Sequence, residues 1–190
     1  MSTKTIFAYL DRMLEPLGFV RHKATWNRRI ETFVDVIDMQ ISKARNDVTI
    51  NAGVLDIGVH SIYEGRETAD VVEEPSCTVR ARIGDLIDGK DKWWQIDKSH
   101  EAAEDMATQV ANRVLPFFER LHSTEAMVTW LTEANVMTKQ YPPPIIYLAI
   151  LHHYLGDNSK PCELLADLLA KTTSPWKPKV KDVMERMGCS

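Results

Sequence analysis

The stretch FVDVIDMQISKARNDVTINAGVLD, residues 33–56, decides the fold. On either side of Arg45-Asn46-Asp47, which has turn chemistry, β-branched and apolar residues recur with a period of two. Residues 33–42 and 47–56 therefore predict the two strands of an antiparallel hairpin. In the first strand Phe33, Ile37, Met39 and Ile41 share one face, and Asp38, Gln40 and Ser42 share the other. Upstream, residues 25–30 have the same β-branched and aromatic character. Downstream, residues 77–83 alternate Val79, Ala81 and Ile83 against Arg80 and Arg82. The turn Asp88-Gly89-Lys90-Asp91 leads into a short extended piece, Trp93-Trp94-Gln95-Ile96. Residues 60–76 are acidic and unpatterned, which reads as an excursion over the surface.

The rest of the chain has helical spacing. Ile6, Leu10, Met13, Leu14 and Leu17 make residues 3–15 an amphipathic helix, ended by Pro16 and Gly18. Ser99 is the expected N-cap of the next helix. Glu101, Glu104 and Asp105 sit in its first turns, where the dipole favours anions, and Ala103, Met106, Ala107, Val110 and Val114 form its buried stripe. Pro116 is expected to open a new short helix, and Ser123 or Thr124 to cap another that ends near Glu133. Residues 139–144 (KQYPPP) read as a stiff linker. Helices over 145–155, 161–171 and 179–187 follow, the first closed by Gly156.

The fold class is thus α+β. An antiparallel sheet of four to five strands lies between Phe19 and Ile96, covered on one face by helices 3–15 and 99–114. An all-helical extension follows and is expected to pack on it, giving units 1–122 and 123–190.

Composition narrows the function classes. The 190 residues are 44% hydrophobic and 26% charged, as in ordinary globular proteins, with a net charge of −4. That balance gives no general attraction to nucleic acid or to an anionic membrane. The acidic excess is concentrated in residues 46–110, where six Lys and Arg face fourteen Asp and Glu. The longest apolar run, 145–151, is too short to span a bilayer. Cys77, Cys162 and Cys189 lie far apart without a CxxC. They suggest neither a zinc site nor a disulfide framework, so a reducing, cytoplasmic compartment is expected.

Several motifs come close to known chemistry and then depart from it. Residues 84–90 have the GxxxxGK spacing of a phosphate loop, but Asp91 stands where Ser or Thr must hold magnesium. His100-Glu101-Ala-Ala-Glu104 places two metal-ligand types on one helical face without a third. No metal and no nucleotide is expected at either. His152 and His153 are adjacent on a helix and point apart, one half-buried and one solvated. Arg21, His22, Lys23, Arg28 and Arg29 cluster around Trp26, which reads as a solvated strand edge rather than a nucleic-acid patch.

Gly18-Phe19, Trp26 with Arg28, Gln40-Ile-Ser42, Asn51-Ala-Gly53 and Arg82-Ile-Gly84, followed by Trp93-Trp94, together resemble domain-of-unknown-function family 4304 over about residues 5–120. The resemblance implies a small bacterial-type α+β domain with no assigned activity or cofactor. It draws attention to Gln40, Asn51, Arg82 and the tryptophans. Tyr154-Leu155-Gly156-Asp157 leading into Lys160-Pro-Cys-Glu-Leu-Leu is similar to the turn of one tetratricopeptide hairpin. A single copy reads as an isolated αα-hairpin.

Two functions of different class fit these residues. One is a non-catalytic binding or protein-interaction module without cofactor. The other is an enzyme with a scattered site, in which Arg82 holds a small anionic substrate and His100, Glu101 or Glu104 acts as acid or base. The missing motif favours the first. By strand parity Gln40, Asn51 and Arg82 should converge on one side of the sheet, walled by Trp93 or Trp94. Gly53 shares that face and leaves room for a neighbour or a ligand.

Overall fold

A computed structural model describes residues 3–134, 141–157 and 159–189. The chain divides into two compact units, Met1–Leu55 with Ala69–Arg120, and Asp56–Thr68 with Leu121–Ser190.

The first unit holds the sheet. Its strands are β1 (Val20–His22), β2 (Thr25–Ile30), β3 (Phe33–Ile41), β4 (Asp47–Asp56), β5 (Val79–Arg82) and β6 (Trp94–Gln95). The order is β1-β2-β3-β4-β5, with β6 pairing the start of β4 beside β5. β1–β2, β2–β3, β4–β5 and β4–β6 are antiparallel. The count exceeds the four or five expected because β1 and β6 are too short to show a period. Arg45, at φ 59°, supplies the left-handed residue of the β3–β4 turn, and Ser42 N–H donates to Asp47 O.

Helices α1 (Lys4–Leu14) and α4 (Ser99–Gln109) pack together over one face. Ile6, Leu10, Leu14, Ala103, Met106 and Val110 are fully buried there, each larger apolar side chain contributing about 2 kcal/mol. Trp26 is also fully buried, and its indole N–H donates to Asp11 of α1 at 2.8 Å. On the same face Arg28 donates twice to Asp35 Oδ2, at 3.0 and 2.7 Å, and lies over the Phe19 ring. Arg21 pairs with Asp11, and Arg29 donates to Ala69 O. Three arginines of the basic cluster therefore serve internal contacts.

Several local expectations give way to tertiary context. Ile57–Glu64 is a helix, α2, whose last five residues fall in the stretch expected to be an irregular excursion. Asp56 caps it by accepting from Val59 N–H at 2.9 Å. Ser99 is the first residue of α4 and is buried, and no side chain caps that helix. Pro116 opens no separate helix. A π-turn, Val110–Val114, joins α4 directly to α5 (Leu115–Arg120). In α geometry the proline ring would strike the carbonyl four residues back, and the wider turn relieves that collision. Ile41, expected to face inward, is 41% exposed at the end of β3.

The second unit is helical: α2, α6 (Thr124–Glu133), α7 (Pro143–Tyr154), α8 (Lys160–Lys171) and α9 (Lys177–Arg186). Ser123 caps α6 through Ala126 N–H. Lys139 and Gln140 of the expected linker lie outside the described residues, while Pro143 and Pro144 form the first turn of α7, where a missing N–H costs nothing. α7 and α8 form an αα-hairpin across Gly156, at φ 78°. In it Asp157 accepts from the backbone N–H groups of Ser159 and Lys160. His152 is buried and His153 exposed. Cys162 and Cys189 form a disulfide, which corrects the expectation that the cysteines build no disulfide framework. Sequence spacing could not reveal it, because the folding of α8 and α9 brings their Cα atoms to 5.3 Å. Cys77 is free and buried, its thiol pushed up by burial. No helix among the described residues is long and apolar enough to cross a membrane.

Candidate functional site

The face of the sheet opposite α1 and α4 carries the polar residues. β5 turns Val79 and Ala81 into the core and leaves Arg80 and Arg82 on the other side, and Ile83, which follows it, is also buried. Asn51 is the register partner of Arg82, and Gly53 of Arg80. The segment 69–77 covers part of this face. Asn27 exchanges two hydrogen bonds with the backbone of Val72, and buried Glu74 receives Arg80 Nε and Nη2 at 2.7 and 2.8 Å. The space above Gly53 is taken by Cys77, which a Cβ at position 53 would strike. The room that the missing side chain leaves is filled by a neighbour.

Beside this cover the three expected residues meet. Arg82 Nη2 donates to Gln40 Oε1 at 2.8 Å, Nε to Asn51 Oδ1 at 3.3 Å, and Nη1 to Asp91 Oδ1 at 3.1 Å. Asn51 Nδ2 also donates to Gln40 Oε1, at 3.2 Å. The guanidinium carbon stands 5.4 Å from the centre of the Trp93 ring, whose indole N–H donates to Asp91 at 2.7 Å. Trp93 therefore walls the cluster. Trp94 does not belong to it. As the next residue along the strand it points to the opposite face, is buried, and donates to Asp105 of α4 at 2.7 Å. Burial alone would raise the Asp105 carboxyl, but hydrogen bonds from Trp94, Gln109 and Lys92 outweigh it and hold the group below its ordinary value.

The cluster borders a concavity of about 660 Å³ lined by Thr25, Asp38, Gln40, Asn51, Glu73, Glu74, Pro75, Arg80, Ala81, Arg82 and Asp85. Sequence reading placed Asp38 on this face but missed Glu73, Glu74 and Asp85, since residues 73–76 carry no period and Glu74 is buried only by its tertiary partner. Arg80 is matched by Glu74. Asp38 accepts from the Thr25 hydroxyl at 3.0 Å, and Asp85 accepts from Arg82 N–H. Among the described residues no cation pairs with Asp38, Glu73 or Asp85.

His100, Glu101 and Glu104 are not brought to this site. Glu101 instead lines a second depression with Asp47, Trp93, Trp94, Gln95, Lys98, Ala102 and Asp105. The phosphate-loop spacing at residues 84–90 has a packing cause: Gly84 lies in the short helix α3 (Ile83–Ile87), and a Cβ there would collide with the Lys90 carbonyl. No group of three or more metal-ligating side chains occurs among the described residues.

No curated protein and no solved structure matches the chain. A family match spans residues 10–120, which include every strand and every residue of the Arg82 cluster. The chain belongs to the family described as domain of unknown function DUF4304.

Proposed function

We propose that this chain is a non-catalytic binding module whose ligand docks in the concavity beside Arg82. The observation that carries this reading is the convergence of Gln40, Asn51 and Arg82, from three strands, at the edge of that concavity. Two amide oxygens fix the guanidinium without neutralising it. Among the described residues the carboxylate on it is Asp91, which is half-exposed, and such a pair is worth about 1 kcal/mol or less. A ligand group can exchange with it at little cost. The concavity's one hydroxyl, on Thr25, is bound to Asp38, and its described lining contains no histidine, cysteine or lysine, which favours binding over catalysis.

A thermal-shift panel of carboxylates, phosphates, amines and zwitterions on the whole chain and on Arg82→Lys tests the reading. One class should raise Tm in the parent and not in the variant, and mass spectrometry should recover it unchanged. Shifts independent of Arg82, or conversion of the bound compound, would overturn it. The cysteine spacing led to the expectation of a reducing, cytoplasmic compartment, whereas the Cys162–Cys189 bond weighs against a reducing setting. Alkylation in the native cell before lysis decides between them.

A further inference from the structure

The concavity carries both charges. Its lining holds Arg82, oriented by Gln40 and Asn51. It also holds Asp38, Glu73 and Asp85, while Arg80 is matched by Glu74. A simple anion would satisfy Arg82 and crowd those carboxylates. A simple amine would satisfy them and leave Arg82 on Asp91.

The spacing suits a ligand that carries both charges. Asp38 and Gln40 lie on the same face of β3, two residues and thus about 7 Å apart along the strand. Arg82 Nη2 donates to Gln40 at 2.8 Å and Asp38 accepts from Thr25, so a ligand held by both side chains has to span roughly this two-residue step. An α-amino acid holds its ammonium and carboxylate about 3 Å apart by its bond geometry. Charge-assisted hydrogen bonds of about 2.8 Å at each end extend that reach to roughly 7–8 Å. Its side chain would then meet Glu73 and Asp85, the other lining carboxylates that no cation among the described residues pairs with, within a volume ordinary for ligand sites.

We infer that the ligand is a free α-amino acid with a basic side chain, its carboxylate on Arg82 in place of Asp91 and its ammonium on Asp38. This rests on the binding reading above and specifies its ligand class.

Calorimetry of the whole chain with L-lysine, L-alanine, acetate and butylamine tests it. L-lysine binds, and the other three bind at least about tenfold more weakly, L-alanine lacking one of the three charges and acetate and butylamine two each. Asp38→Asn, which keeps an acceptor for Thr25, and Arg82→Lys, which keeps the charge without the fork, each weaken lysine at least about tenfold. Asp91→Asn removes the internal competitor and tightens lysine about two- to fivefold. Lysine affinity indifferent to Asp38→Asn, or butylamine bound as tightly as lysine, overturns the inference. So does a missing lysine signal alongside an Arg82-dependent shift from another compound of the panel, which leaves the binding reading standing. No Arg82-dependent shift from any compound overturns both.

Discussion

Arg82 Nη2 donates to Gln40 Oε1 at 2.8 Å across 42 positions of sequence, while Arg28 on the opposite face of the same sheet donates to Asp35 across 7. The two guanidinium groups do different physical work. Arg82 is partly exposed and meets two amides and one half-exposed carboxylate. Arg28 is nearly buried and meets a carboxylate with no solvent access.

Removal should separate them. Arg28→Ala removes the cation from the buried Asp35 carboxylate and should cost about 3–5 kcal/mol in urea unfolding. Arg82→Ala loses solvent-screened hydrogen bonds and should cost about 1 kcal/mol. Equal losses would mean that the Arg82 cluster is part of the structural frame.

Gly84 is held by the Lys90 carbonyl rather than by any phosphate. Gly84→Ala should destabilise the first unit by about 2–3 kcal/mol, because backbone must move to admit the methyl group. Lys90→Ala, at an exposed side chain, should change stability by less than about 0.5 kcal/mol. Circular-dichroism melts of the two variants make the comparison.

The disulfide closes a span of 27 positions, for which chain entropy corresponds to about 3.5 kcal/mol. Cys162→Ser should lower the stability of the second unit by about that amount. Alkylation of the unfolded chain without reductant should label Cys77 alone, and with reductant all three cysteines. Three labels without reductant would refute the bond.

In the second unit Tyr63 packs edge-on against Tyr147 at 4.9 Å, with Lys179 Nζ 4.5 Å from its ring centre. Burial first, then Glu64 and Tyr141, push its hydroxyl up to about 12. Burial favours the neutral phenol, so its contribution to stability is complete below pH 10 and is lost as pH rises through about 12. Tyr63→Phe should remove that alkaline loss. Urea melts across the interval check it.

The sequence by itself determined what a local period can determine. Alternation along β3, β4 and β5 assigned Gln40, Asn51 and Arg82 to one face, because a strand residue and its second neighbour must point the same way. The amphipathic spacing of α1 and α4 likewise identified the residues that cover the other face. Tertiary structure decided what depends on residues distant in sequence. It selected Trp93 over Trp94, because pairing of β6 with β4 fixes which of two adjacent side chains points inward. It buried Glu74 against Arg80, filled the space over Gly53 with Cys77, and brought Cys162 to Cys189. It also opened a π-turn ahead of Pro116 where a helix break was expected. Parity is a property of one strand, whereas a pocket is a property of the several segments that close over it.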